Sequence, residues 1–181
     1  MDIVQKVAEL DAYFLLEEEH SVEDLNFLLE TLFHPNLQAA VNSAVILGRL
    51  DKPIILHLMT DFERYPKEIQ KTLIPFFAST EFYESYEFSI KHLAVCQDEG
   101  VLLILMHCLI HTEYFVLPLL LLYLSDPNQT MHWRLRIILS KIGFHRLKPM
   151  LLKFPELPHE GILRDIFGDK AIQSLGLNRI S

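Results

Sequence analysis

Two histidines and a cysteine, His107, Cys108 and His111, stand close together in an apolar stretch near the middle of the chain. Residues four apart share one face of a helix, so the two imidazoles could chelate a transition metal. A structural zinc site normally has four protein ligands, and the nearest further candidate is His132. The glutamate of an HExxH motif is absent. We therefore expect histidines that pack or lie at a rim, and neither a metal nor another cofactor.

No other pattern supports catalysis. Cys96 and Cys108 lie in apolar helical runs, where inert core thiols are found, and they form no CxxC pair. The sequence contains no GxSxG, no phosphate-binding glycine loop and no GxGxxG. Acyl transfer, nucleotide hydrolysis and dinucleotide chemistry therefore have no support, and we expect the protein not to be an enzyme.

Basic residues without acidic ones occupy residues 129–154, where Trp133 follows His132. The candidate basic patch consists of His132, Arg134, Arg136 and Lys141. Cations beside an aromatic ring can hold nucleic acid through phosphate contacts and base stacking. The net charge of the whole chain is −8, however, which argues against that alternative. The same patch would suit an acidic protein partner or the acidic N-terminal half of a second copy.

Prolines recur at about 31-residue intervals, at Pro35, Pro66, Pro127 and Pro158, with Gln97 at the missing position. Proline is tolerated at the start of a helix because its missing N–H would have had no intrahelical partner. These positions precede helix-like runs at 36–49, 67–78, 98–111, 128–142 and 159–167. Second helices are predicted at 21–33, 52–64, 82–95, 113–124 and 146–154. No long stretch alternates with period two, so the chain is predicted to be all-α.

A helical pair of about 31 residues cannot bury its own apolar face, so the successive pairs must stack on one another. We predict a right-handed α–α superhelix, a solenoid of about five helical pairs, in a single domain over 1–181. It comprises an N-terminal capping helix at 1–20, repeats at 21–172 and a tail at 173–181. The start of the chain lacks a signal-peptide pattern, which favours the cytoplasm. Residues 101–124 are apolar enough for a membrane span, but Glu113 favours a buried helical hairpin.

Two segments resemble the HEAT repeat. "LLLLYLSDPNQTMHWRLRIILSKI" at 119–142 has its Asp-Pro turn and its small or branched apolar residue at every fourth position. "FHPNLQAAVNSAVILGRL" at 33–50 is similar, with Ala39, Ser43, Leu47 and Gly48 at the motif's valine, alanine, leucine and glycine positions. The arginine that usually follows the valine is replaced in every unit, by Ala40, Lys71, Leu102, His132 and Leu163. The resemblance implies a solenoid and says little about function.

Alignment of the units on the proline predicts which residues face the core. Positions four, eight and twelve should be buried: Ala39, Ser43 and Leu47; Gln70, Ile74 and Ala78; Val101, Leu105 and Leu109; Met131, Leu135 and Leu139. Positions six and ten should point away: Val41, Val45, Thr72, Phe76, Leu103, His107, Trp133 and Ile137. By resemblance to HEAT solenoids, this second row would line the concave groove. An exposed apolar strip indicates a partner surface, often for an amphipathic helix, whereas strong curvature or a terminal helix could bury it instead.

Other classes of function stay open at this stage. HEAT-like repeats also occur in DNA glycosylases with a basic groove and in bilin lyases, where His107 and Arg136 could face a tetrapyrrole. Small acidic solenoids can also serve as immunity proteins that neutralise a toxin. We favour a non-enzymatic scaffold that binds another protein in its partly apolar groove.

Overall fold

A computed structural model of the chain describes residues 2–14, 20–80, 82–154 and 160–176, and every regular element in these ranges is a helix. The prediction of an all-α protein is confirmed. The α-helices are α1 (Ile3–Phe14), α2 (Val22–Thr31), α3 (Leu37–Leu47), α4 (Lys52–Thr60), α5 (Lys67–Ser79), α6 (Tyr83–Val95), α7 (Glu99–Ile110), α8 (Leu117–Leu122), α9 (Gln129–Ile142), α10 (Phe144–Lys153), α11 (Glu160–Phe167) and α12 (Asp169–Gln173). Short 3₁₀ helices span Phe62–Arg64, Tyr114–Val116 and Tyr123–Ser125.

Helix starts are encoded locally. Asn36, Asp98 and Asn128 are the N-caps of α3, α7 and α9, and each stands directly after Pro35, Gln97 or Pro127. Each side-chain oxygen accepts a hydrogen bond from the backbone N–H three residues later, at 2.9–3.2 Å. Such a bond satisfies one of the orphan donors of a helix's first turn. The predicted register of helix starts is therefore confirmed for these three helices.

Two predicted helices are shorter than expected. The predicted helix 113–124 consists of two 3₁₀ segments around α8, because a continuous helix would press the Pro118 ring against the carbonyl of Tyr114. The predicted helix 52–64 ends at Thr60 and continues as a 3₁₀ turn, because Tyr65 must be extended before Pro66. Predictions for residues 15–19, 155–159 and 177–181 lie outside the described residues.

The chain divides into two compact units, residues 1–85 and 86–181. In the first unit, α3 packs against α1, α2 and α5. Ala39, Ser43 and Leu47 of α3 are fully buried, as the register predicts. Gln70 is also buried in the first unit, and its amide donates to the Tyr65 carbonyl at 3.0 Å. That bond makes a polar side chain tolerable at a core position.

The second unit is built around α9, which contacts α7, α10, α11 and the 3₁₀ turn Tyr123–Ser125. All six predicted core positions of α7 and α9 are buried, with at most 2% of the surface exposed: Val101, Leu105, Leu109, Met131, Leu135 and Leu139. Across both units only Ala78, among the twelve predicted core residues, is half-buried. The helical period in the sequence therefore identifies the inner face correctly.

Among the described residues, no single helix is both long and apolar enough to cross a membrane. The apolar stretch after Glu99 divides into α7 and the segment Tyr114–Ser125, which are bent by 105° relative to each other and match the length and composition of a span only as a pair.

Candidate functional site

None of the eight residues predicted to point away from the core is buried. Leu103, His107 and Trp133 are exposed, and Val41, Val45, Thr72, Phe76 and Ile137 are half-buried. Leu103 keeps 68% of its surface exposed and Trp133 keeps 62%. Contact between water and large apolar side chains that are this exposed is unfavourable, so these residues form a candidate interaction surface.

In the second unit these residues lie on helices that contact one another. Leu103 and Trp133 occupy the same register position on α7 and α9, and α9 also contacts α11. A shallow hollow of about 400 Å³ beside Trp133 is lined by Trp133, Arg136, Ile137, Ser140, Lys141, Asp165 and Ile166. We call Leu103, His107 and the residues of this hollow the Trp133 face. The hollow combines three apolar side chains with three charged ones: Trp133, Ile137 and Ile166; Arg136, Lys141 and Asp165.

The exposed side of α7 carries Leu103 and His107, on a helix whose remaining side chains after Glu99 are almost all apolar. Leu105 and Leu109 are buried on one side, while Leu103 is exposed and Met106 and Ile110 are half-buried. A helix that is hydrophobic all round is normally covered on every side. Leu103 is the most exposed apolar side chain of α7.

The outward row of the first unit is partly used for packing between α3 and α5. A Cβ atom added to Gly48 would lie 2.6 Å from Cγ and Cδ2 of Phe76, so the aromatic ring rests directly on the glycine backbone. The hydroxyl of Thr72 donates to the Glu68 carbonyl at 2.8 Å. The half-buried state of Phe76 thus has a structural cause, and Gly48 is glycine because the ring needs that space.

Two arginines of the second unit bind helix ends. Arg134 donates from its guanidinium to the Leu93 carbonyl and, at 3.0 Å, to that of Cys96, at the C-terminal end of α6. Arg146 donates to the carbonyl of Ile110, at 3.2 Å, and to that of Thr112, at the end of α7. The last carbonyls of a helix lack intrahelical partners and carry partial negative charge, so a cation there is favourable.

The four residues of the predicted basic patch therefore have different roles. Arg136 and Lys141 line the hollow beside Trp133, and Arg136 forms an ion pair with Asp165 at 3.3 Å. His132 is half-buried on α9. Arg134 is committed to backbone carbonyls. Arg134 and Arg136 are thus held by contacts within the protein, whereas Lys141 is exposed.

The histidine pair is brought together as the spacing predicts. The ring centroids of His107 and His111 are 4.5 Å apart, at an interplanar angle of 57°, and both residues are exposed. Cys108 between them is half-buried, and burial raises the pKa of its thiol, which opposes a role as a nucleophile. In the part of the chain that the structure describes, no group of three or more His, Cys, Asp or Glu side chains could hold a metal ion.

Some features of the structure were not predicted. Asp165 and Ile166 of α11 complete the hollow, although neither belongs to the outward row. The first unit also has a cavity of about 410 Å³, lined by Phe14, His20, Leu25, Arg49, Leu50, Asp51, Pro53 and Ile54. His20 stacks on Phe14 there, with ring centroids 3.9 Å apart. The outward row, continued to the last unit, gives Arg164 and Gly168 instead of Asp165 and Ile166, so neither the α11 side of the hollow nor the cavity has a signal in the repeat.

Comparison of the sequence with protein-family models gives no match, and comparison with curated proteins gives none. The resemblance to HEAT repeats therefore rests on the segments 33–50 and 119–142 and on the proline register.

Proposed function

We propose that this chain is a non-enzymatic protein-binding module, a HEAT-like right-handed superhelix that presents the Trp133 face to a partner protein. The observation that carries the proposal is Trp133 itself, 62% exposed on α9 beside a hollow of about 400 Å³. Tryptophan is enriched among the residues that dominate binding energy in interfaces. An apolar centre with a charged rim is the usual composition of such a surface.

The shape and chemistry of the face favour an amphipathic helix as the partner segment. Helix-binding grooves accept apolar anchors spaced by three or four residues, and Leu103, Trp133 and Ile137 offer apolar contacts from two neighbouring helices. Lys141 at the rim would attract a carboxylate on the partner's polar face. We therefore expect an acidic amphipathic helix.

The free energy gained by burying Trp133 indicates how many apolar side chains a stable interface would need. Because a tryptophan buries up to roughly 250 Å², covering the exposed 62% of Trp133 would remove about 150 Å² from water, worth ~4 kcal/mol. Association costs roughly 4–15 kcal/mol in lost freedom of motion, so Trp133 alone cannot hold a partner. Leu103, Ile137 and Ile166 must contribute as well, which requires several apolar side chains on the partner.

The chemistry of the described residues supports a protein partner over nucleic acid. The guanidinium of Arg134 donates to backbone carbonyls and the charge of Arg136 is offset by Asp165, so these two side chains have few free donors for phosphates. A carboxylate at the rim would also repel a phosphate backbone. Binding of a protein through the apolar centre should depend weakly on salt.

The proposal is tested by affinity capture from the native cell with three proteins: wild type, Trp133→Ala and Leu122→Ala. Leu122 is 52% exposed on α8 and outside the Trp133 face, so it is a matched loss of exposed apolar surface. We expect a protein that is retained by wild type and Leu122→Ala and lost with Trp133→Ala, while far-UV circular dichroism shows all three folded.

Capture of the same proteins by Trp133→Ala and by wild type would refute the proposed site. The purified partner should then bind with similar affinity at low and at high salt. A steep fall in affinity with salt, together with loss on a combined Arg136→Glu and Lys141→Glu change, would instead indicate nucleic acid. An absorbance band from a bound chromophore in the purified protein would point to tetrapyrrole chemistry.

A further inference from the structure

His107 lies on the last turn of α7, and His111 is the C-cap residue that follows Ile110. The backbone N–H of His111 donates to the His107 carbonyl at 3.2 Å, so the helical turn extends through both residues. Their ring centroids are 4.5 Å apart and both side chains are exposed. The two rings are therefore close together and accessible from solvent.

We propose that these two imidazoles form a bidentate site for a divalent late transition metal ion, in the order Cu²⁺ over Ni²⁺ and Zn²⁺. A metal–imidazole bond is about 2.0–2.1 Å, so two nitrogens on one ion lie about 3 Å apart, within reach of rings at this separation. Imidazole suits these three ions, and the affinity order follows the general series for nitrogen ligands. Magnesium and calcium prefer oxygen ligands and should not bind here.

Within the ranges that the structure describes, no third His, Cys, Asp or Glu joins these two ligands. Cys108 lies between the histidines in sequence but is half-buried, whereas both imidazoles are exposed. The remaining coordination positions are open to water or to a donor from another molecule. Because His107 and His111 are a turn apart, a bound ion would bridge the end of α7 and stabilise that turn. The inference does not depend on the proposed function of the Trp133 face.

The experiment is calorimetric titration of the untagged, full-length protein with CuCl₂, NiCl₂, ZnCl₂ and, as a negative control, MgCl₂. The chain has nine histidines, so the site must be assigned by variants. His107→Ala and His111→Ala each remove one ligand, while His57→Ala removes an exposed histidine of α4 and serves as the matched control. Circular dichroism establishes that every variant is folded.

We expect one equivalent of Cu²⁺ whose affinity falls at least tenfold in either His107→Ala or His111→Ala and is unchanged in His57→Ala. The electron paramagnetic resonance spectrum of the Cu²⁺ complex should show coupling to two nitrogens. Affinity that survives either single substitution, or falls equally in the His57→Ala control, would overturn the proposal. If a variant were unfolded, His107→Gln and His111→Gln would replace the alanine pair, with the same outcomes.

Discussion

Replacement of Arg134 by methionine should destabilise the second unit, whereas replacement of Arg136 should not. Both arginines lie on α9 and the chemical change is the same in each case. Only their partners differ: the guanidinium of Arg134 donates to the carbonyls of Leu93 and Cys96, and that of Arg136 pairs with the exposed carboxylate of Asp165. Methionine keeps most of the aliphatic stem of arginine, so the comparison isolates the charged group.

The expected magnitude follows from these contacts. A hydrogen bond from a charged donor contributes about 1.5–3 kcal/mol, so two such bonds contribute roughly 3–6 kcal/mol. Within the described residues, Nε of Arg134 is buried without a partner, which costs about 1–3 kcal/mol and is relieved by methionine. Taken at the middle of these two ranges, the net loss of unfolding free energy for Arg134→Met is about 2–3 kcal/mol. The ion pair of Arg136 is 33% and 63% exposed, and such surface pairs are worth about 0–1 kcal/mol.

The assay is equilibrium unfolding in urea, followed by circular dichroism and by the fluorescence of Trp133, the one tryptophan of the chain. Urea slopes for small proteins are about 1–3 kcal/mol per molar, so Arg134→Met should lower the midpoint by roughly 1 M. Arg136→Met should move it by a few tenths at most. Equal shifts for the two variants would refute the conclusion that Arg134 caps α6, because the surface pair would then matter as much as the buried bonds.

Three further predictions concern stability. Leu105→Asp should unfold the protein, because Leu105 is only 1% exposed and a carboxylate cannot be buried there without a partner. Leu103→Asp should leave the melting temperature nearly unchanged, because Leu103 is 68% exposed. Equal melting temperatures for the two variants would contradict the assignment of the buried face of α7. Gly48→Ala should cost about 1–3 kcal/mol by overpacking against Phe76, and nothing in a Phe76→Ala background, as a double-mutant cycle in urea would measure. Burial, reinforced by Asp61, raises the pKa of Tyr65 from 10.0 to about 12, so the stability that it contributes is complete below pH 10 and declines as the pH rises towards 12. Ultraviolet titration should show this late ionisation, and a Tyr65→Phe variant that lost stability just as steeply would assign the decline to other groups.

The sequence predicts the helices and their inner faces because both depend on neighbouring residues. At the starts of α3, α7 and α9, a proline, or Gln97 in its place, is followed by an Asn or Asp N-cap. Mostly apolar residues follow at positions four, eight and twelve after the proline or Gln97. Together these signals specify a capped helix with one buried side. Asn128 and Leu135 illustrate the two signals on one helix: the first accepts the bond from Met131 N, and the second is fully buried. No information from distant parts of the chain is needed for either.

The partners of a charged side chain cannot be predicted from the residues next to it in the sequence. Arg134 and Arg136 are alike in the sequence, yet one reaches a helix end and the other the rim of a hollow. Ile166 joins the Trp133 face only because α11 packs against α9. Pro118 shortened a predicted helix for a reason visible in the sequence, since its ring excludes a continuous helix from Glu113. The sequence thus predicts which residues of this row are not buried, but not the carbonyl and carboxylate partners of Arg134 and Arg136. That this row binds a partner stays a prediction.

The bonds of Arg134 and Arg146 have a consequence for the order in which the chain folds during synthesis. Each joins residues 34–41 positions apart, whereas the N-cap bonds join residues three apart. Local contacts close in microseconds or less, and contacts across longer loops form later. We expect α6 and α7 to emerge capped at their first turns and frayed at their last, and to acquire defined ends only once α9 and α10 have left the ribosome. In a chain truncated after α8, we expect α6 and α7 to form but their last turns to fray, because Arg134 and Arg146 are missing.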